Sequence, residues 1–158
     1  ENLGEPMENM FKAIKRVLKE HRNVKVIYPI HKNPRVREVA NRIFGDEDRV
    51  KLIEPLEVID FHNFLNKSYL ILTDSGGIQE EAPSLGKPVL VLRDTTERPE
   101  GVAAGTLKLV GTKEEDIYNN FKLLLENNEE YKKMSQASNP YGDGRASERI
   151  AKVLLKEI

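Results

Sequence analysis

Hydrophobic positions follow two different periods along the chain. Residues 7–21 carry apolar side chains at the i, i+4, i+7 and i+8 positions of one stripe, which is typical of an amphipathic helix. Residues 24–30, "VKVIYPI", are few and rich in β-branched side chains, which favours a strand. Further helices are predicted at 34–45, 57–68, 77–86, 114–127, 129–137 and 144–158, and further strands at 50–54, 69–73, 88–92 and 107–111. Pro83 is expected to distort or shorten the helix in which it lies.

This alternation of strands and helices predicts an α/β fold with a parallel sheet and helices on both faces. The runs "YLILT" (69–73) and "PVLVL" (88–92) are almost entirely apolar, as expected for strands buried on both sides. Ligands of such sheets bind outside the carboxyl ends of the strands. The loops that follow four of the strands should therefore meet along one edge; they are residues 31–34, 55–61, 74–77 and 93–101.

Composition narrows the class of protein. The chain has 158 residues, which fits one domain spanning 1–158, and its formal net charge of −1 argues against a nucleic-acid partner. It has no cysteine, so disulfides, thiolate metal sites and cysteine nucleophiles are excluded, and its three histidines do not have metal-ligand spacing. No apolar run reaches the roughly 18 residues of a membrane span, and no signal sequence opens the chain. We expect a soluble, cytoplasmic domain without a membrane partner.

The segment "DSGG" (74–77) follows a predicted strand and precedes a predicted helix. A helix that begins at Gly76 or Gly77 leaves its first backbone N–H groups without intrahelical partners, and Ser75 is a candidate N-cap. Glycine lets a ligand approach the backbone closely, and the positive end of the helix dipole favours a phosphate. A simple tight turn explains the same residues, and the segment is not the G-x-G-x-x-G fingerprint of dinucleotide sites.

Polar residues nearby allow two interpretations each. One of Glu80 and Glu81 can accept hydrogen bonds from ribose hydroxyls, or both can simply be favoured by the dipole of the helix that carries them. Arg93 or Arg98, in the loop "RDTTERPEG" (93–101), can pair with a phosphate through its forked donors, or the loop can be an ion-paired surface. Their spacing alone decides neither question.

Three long segments resemble the signatures of one enzyme family. They are "LILTDSGGIQEEAPSLGKPVLVLRDTTERPEG" (70–101), "YPIHKNPRVRE" (28–38) and "NPYGDGRASERI" (139–150). The chain is similar along its whole length to the non-hydrolysing UDP-N-acetylglucosamine 2-epimerases. This resemblance implies a Rossmann-like domain, the C-terminal half of a GT-B-type two-domain fold with the substrate in the cleft. It also implies interconversion of UDP-GlcNAc and UDP-ManNAc by elimination of UDP and its re-addition, with neither NAD nor an obligatory metal and hence no cofactor.

The resemblance assigns roles to residues at the predicted edge. Ser75, Gly76 and Gly77 would hold the diphosphate of UDP or of a UDP-sugar. Glu81 would bind the ribose, and Arg98 would contact the nucleotide sugar.

Three further residues receive less specific roles from the same resemblance. Leu56 and Phe61 would frame the uracil, with Leu56 acting mainly through its backbone because some relatives carry a polar residue there. From the residues alone, core packing is the favoured interpretation of Phe61. His31 would lie near the substrate or near the regulatory nucleotide-sugar site that bacterial members possess.

The resemblance also predicts what is missing. Members of this family are about twice as long, and their N-terminal domain carries the acidic residues for proton transfer at C2 of the sugar. We expect a C-terminal fragment without its first, central strand, and therefore a gap in the sheet between 24–30 and 69–73. The fragment would close the gap by rearrangement or by association into a homo-oligomer through exposed strand edges. It would be inactive alone.

Two other functions remain compatible with the sequence. The chain can be half of a GT-B glycosyltransferase, which would share the nucleotide geometry but transfer the sugar to an acceptor. It can also be a stand-alone module that binds UDP-sugars without chemistry. The segments "DSGGIQEEAPSLGKP" and "RDTTERPE" favour the epimerase.

Overall fold

The computed structural model describes residues 2–156 of the chain. Its helices are α1 (Glu5–Glu20), α2 (Pro34–Phe44), α3 (Val58–Lys67), α4 (Gly76–Glu81), α5 (Pro99–Ala104), α6 (Glu114–Glu126), α7 (Asn128–Ser135) and α8 (Ala146–Lys156). Its strands are β1 (Val26–Pro29), β2 (Val50–Ile53), β3 (Ile71–Thr73), β4 (Val89–Val91) and β5 (Leu107–Leu109). Within this part of the chain, no helix has the length and apolar character needed to cross a membrane.

The predicted elements occur in the predicted order, with two local differences. The helix predicted at 77–86 is divided into two parts. Its first part is α4, which ends at Glu81, and its second part is a 3₁₀ helix, Ala82–Leu85, because Pro83 cannot donate the next α-helical hydrogen bond. The prediction of a loop throughout 93–101 is wrong, because α5 begins inside this segment at Pro99 and ends before Gly105. The last helix begins at Ala146, and the final two residues of its predicted range, 157–158, lie outside the described residues.

The strands form two separate parallel sheets. β1 pairs with β2, and β3, β4 and β5 pair in that order, so that Ile71 aligns with Val89 and Val89 with Leu107. No ladder joins β1 to β3 among residues 2–156. The gap expected between these two strands is therefore confirmed, and it is not closed by a rearranged strand.

The central strand β4 is buried on both faces. Val89 and Val91 are fully buried and belong to a core cluster on one face, together with Leu65 of α3 and residues of the 3₁₀ helix. Leu90 and Leu92 belong to the larger cluster on the other face, which contains the buried sides of α1, α2 and α6. Because alternate residues of a strand point to opposite faces, helices cover both sides of this sheet, as predicted.

Helix α1 joins the two sheets. Its buried residues Val17 and Leu18 lie in the same cluster as residues of β1, β2, β3 and β4. On its outer side, Arg16 bonds Glu114 at 3.0 Å and Glu115 at 2.8 Å, and its guanidinium stacks 4.0 Å from the ring centre of Tyr118. Packing through α1 therefore replaces hydrogen bonding between the sheets as the connection across the gap.

Candidate functional site

The turn between β3 and α4 presents its backbone at the carboxyl edge of the sheet. Ser75 is exposed and occupies the N-cap in extended conformation, with φ −84° and ψ 131°. Its hydroxyl makes no capping hydrogen bond, while its backbone N–H donates to Oγ1 of Thr73 at 3.0 Å. The N-cap position of Ser75 is thus confirmed, but Thr73 rather than the serine side chain fixes the turn.

Gly76 and Gly77 bring this turn against two of the predicted site residues. A Cβ built on Gly76 would collide with the carboxylate of Glu97 and would lie 4.0 Å from Nη2 of Arg98. A Cβ built on Gly77 would lie 3.9 Å from Oε1 of Glu81. The structure therefore places Arg98 beside the first glycine of the turn and Glu81 beside the second.

Arg98 and Arg93 are both held by carboxylates. Arg98 donates through Nε to Glu80 and through Nη1 to the carbonyl of Glu97 at 3.1 Å. Arg93 donates to the carboxylate of Glu97 at 2.7 Å. The hydrogen bond from its own backbone N–H, followed by the charges of Arg93 and Arg98, lowers the pKa of Glu97 below its ordinary value. The loop is ion-paired, and it also places Arg98 beside the glycine turn.

The two neighbouring glutamates, Glu80 and Glu81, contact different partners. Glu80 pairs with Arg98, whereas Oε2 of Glu81 lies 3.0 Å from Nε2 of His62 on α3. Both Glu81 and His62 are exposed, so Glu81 can still bind a further group. His62 was not a sequence candidate, because nothing in the sequence indicates that α3 meets α4 at this point.

The remaining predicted residues lie at the margin of this cluster. Leu56 is half-buried just before α3, and Phe61 is half-buried and packs against the core cluster that contains Ala82. His31 is exposed after β1, and its Nδ1 accepts a hydrogen bond from the backbone N–H of Asn33 at 3.1 Å. Contacts thus join the segments that follow β2, β3 and β4, whereas the hydrogen bond of His31 stays inside its own loop.

A polar contact also reaches the site from the start of the chain. Nδ2 of Asn2 donates to the carboxylate of Asp74 at 3.0 Å, at the end of β3. Burial, and then the charge of Asp74, raises the pKa of the Tyr28 phenol on β1. Asp74 therefore interacts with groups on the far side of the gap between the sheets.

Parallel strands, helices on both faces of β4 and a glycine turn beside an arginine at the carboxyl edge define a Rossmann-like α/β chain with a candidate anion site. The family model described as UDP-N-acetylglucosamine 2-epimerase matches residues 1–155. The chain belongs to this family.

Known relatives agree with this assignment. The chain is 74% identical over 155 residues to a UDP-N-acetylglucosamine 2-epimerase of Bacillus subtilis, which covers 98% of the chain and 41% of the relative. It is similar to the Staphylococcus aureus MnaA–UDP co-structure, with 61% identity, a TM-score of 0.94, and coverage of 99% of the chain and 44% of the other. It is also similar to the Neisseria meningitidis UDP-GlcNAc 2-epimerase bound to UDP-GlcNAc, with 50% identity and a TM-score of 0.92. This match covers 98% of the chain and 42% of the Neisseria protein. The chain thus spans about two fifths of the length of the relatives it matches.

Proposed function

We propose that this chain is the UDP-binding part of an epimerase that interconverts UDP-GlcNAc and UDP-ManNAc by elimination of UDP and re-addition. The observation that carries this proposal is the cluster of Gly76, Gly77, Glu81 and Arg98 at the carboxyl edge of the sheet. Membership of the epimerase family, and the close similarity to structures bound to UDP and to UDP-GlcNAc, support the same function.

The turn at 75–77 would hold the diphosphate. The first N–H groups of α4 have no intrahelical partners and can donate to phosphate oxygens, and glycine leaves room for those oxygens to approach. Arg98 would add a forked, charge-assisted pair. The carboxylate of Glu80 holds Arg98 and that of Glu97 lies beside Gly76, so the phosphates would compete with Glu80 for the donors of Arg98 and with Glu97 for the space beside the turn.

The nucleoside would extend from the turn toward α3. Glu81 lies beside Gly77 and would accept hydrogen bonds from the ribose hydroxyls. Leu56, through its backbone, and Phe61 would frame the uracil at the start of α3. His31 would lie near the substrate or near a regulatory nucleotide-sugar site.

In this mechanism the residues of the chain act on the leaving group. Elimination breaks the bond between C1 of the sugar and the β-phosphate oxygen, so negative charge develops on the diphosphate. Donors already aimed at that position stabilise this charge in the transition state. The proton transfer at C2 would be performed by residues outside this chain, so we propose that the chain alone is inactive. The cytoplasmic location and the association with a second copy remain predictions from the sequence.

Turnover of UDP-GlcNAc without an acceptor tests this function. The assay compares the 158-residue chain with the protein extended to the length of its relatives. We expect UDP-ManNAc from the longer protein only. UDP-ManNAc formed by the chain alone would refute its inactivity. No UDP-ManNAc from the longer protein, together with sugar transfer once an acceptor is added, would identify a glycosyltransferase instead.

A further inference from the structure

Gln79 is a polar side chain in the middle of α4 that is fully buried, with 0% of its surface exposed. A buried amide is costly unless its donor and acceptor both find partners. Here both do: Nε2 donates to the carbonyl of Ser75 at 3.3 Å, and Oε1 accepts from the hydroxyl of Thr96 at 2.5 Å. The two partners belong to the glycine turn and to the arginine loop, so one side chain contacts both halves of the candidate site.

These bonds are part of a longer chain of hydrogen bonds. At one end, the N–H of Ser75 donates to Oγ1 of Thr73, which anchors the turn to β3. At the other end, the N–H of Arg98 donates to Oγ1 of Thr96 at 3.0 Å. We call the path Thr73–Ser75–Gln79–Thr96–Arg98 the Gln79 relay.

Chemistry fixes the direction of each bond in the relay. The carbonyl of Ser75 can only accept, so the NH₂ group of Gln79 must face it and the amide oxygen must face Thr96. The Thr96 hydroxyl then donates to Gln79, and its oxygen is left to accept from the N–H of Arg98. A leucine at position 79 would satisfy neither partner, and a carboxylate would face the Ser75 carbonyl with no proton to donate.

We propose that Gln79 is a positioning residue that fixes the Ser75–Gly77 turn relative to Arg98. The inference rests on the proposed function, in which the turn and Arg98 bind the same diphosphate. Two groups that share one ligand bind it well only when their separation is already correct, because fixing it at the time of binding costs free energy. The relay supplies this separation through partly buried hydrogen bonds that do not involve the ligand.

Hydrogen exchange measures the relay without any ligand. The variants are Q79L, T96V and T96S, and the control is T106V. Thr106 is a suitable control because its hydroxyl, like that of Thr96, donates one hydrogen bond, and the Gly101 carbonyl that it contacts keeps the backbone bond from Thr106. We expect T96V to increase amide exchange at 75–77 by about tenfold although the substitution lies in the other loop. T96S and T106V should leave this exchange unchanged, and unchanged exchange in T96V would refute the relay.

UDP affinity measures what the relay does for binding. By calorimetry on chains shown to be folded, we expect Q79L and T96V each to weaken UDP binding about tenfold, and the double variant to lose little more than either. T96S keeps the hydroxyl and should therefore bind UDP as tightly as wild type. T106V should lower the thermal stability without changing the UDP affinity. If Q79L fails to fold, T96V carries the same test. Equal UDP affinity in T96V and wild type would refute the positioning role, whereas a wild-type chain that does not bind UDP would refute the proposed function and leave the exchange result to decide the relay.

Discussion

The carboxylate of Glu81 on α4 lies 3.0 Å from Nε2 of His62 on α3. This contact holds the Glu81 carboxylate on the side of α4 that faces α3, the helix that also carries Phe61. The neighbouring Glu80 turns instead to Arg98. The structure thus distinguishes two adjacent glutamates that the sequence could not separate by spacing.

A ribose role for Glu81 predicts a change in ligand preference. Wild-type chain should bind UDP roughly ten- to a hundredfold more tightly than 2′,3′-dideoxy-UDP, since a hydrogen bond to a charged group contributes about 1.5–3 kcal/mol. E81A should bind both equally, and H62A should lie between because the carboxylate remains but is less well oriented. Competition calorimetry provides the measurement. A preference that survives in E81A would assign the ribose to another residue.

Arg98 is predicted to recognise phosphate rather than uridine. R98A should weaken UDP binding by roughly ten- to a hundredfold, the loss expected for charge-assisted hydrogen bonds. Uridine affinity should change little, because the nucleoside carries no phosphate. The control is R42A, which removes an exposed arginine paired with Glu8 on α1. Equal losses for uridine and UDP would show that R98A disturbs the whole site.

Substitutions at two glycines distinguish an effect on UDP binding from an effect on folding stability. G77A should leave the melting temperature unchanged or higher, because its Cβ makes only an ordinary contact at 3.9 Å and alanine favours a helix. The same methyl group should weaken UDP binding by obstructing the diphosphate. G101A should instead unfold more easily, by about 1–3 kcal/mol, because its Cβ would lie 2.7 Å from Cγ of Leu107. Thermal unfolding and UDP titration of both variants decide the point, and a G77A chain with normal UDP affinity would contradict the diphosphate assignment.

Local patterns predicted much of this architecture. The apolar run of β4 and the glycine turn before α4 were predictable because burial and backbone freedom are encoded in neighbouring residues. Helix α5 was missed although Pro99 and Gly105 mark its ends, because its polar start reads as a loop. The contacts between His62 and Glu81, and between Gln79 and Thr96, join residues distant in sequence, so only the fold reveals them.

Acid should weaken the contact between α1 and α6. Glu20 accepts hydrogen bonds from Lys122 at 2.7 Å and from Tyr118 at 2.6 Å, and these bonds, that of Lys122 first, lower its pKa from the ordinary 4.5. Because the folded-state pKa is lowered, the stabilisation is present above about pH 4.5 and is lost as the pH falls through the folded value. Urea unfolding should therefore show wild type more stable than E20Q at pH 7, with the difference closing in acid. A difference that does not change with pH would contradict this explanation, and E38Q, at an exposed position on α2, is the control.

The most direct test of the central claim is a calorimetric titration of the folded 158-residue chain with UDP, repeated with G77A and R98A. We expect saturable binding with one UDP per chain, weakened in both variants while their folded content stays that of wild type. A folded wild-type chain that does not bind UDP, or one that binds it equally well in both variants, would contradict the claim that the turn at 75–77 and Arg98 form a diphosphate site.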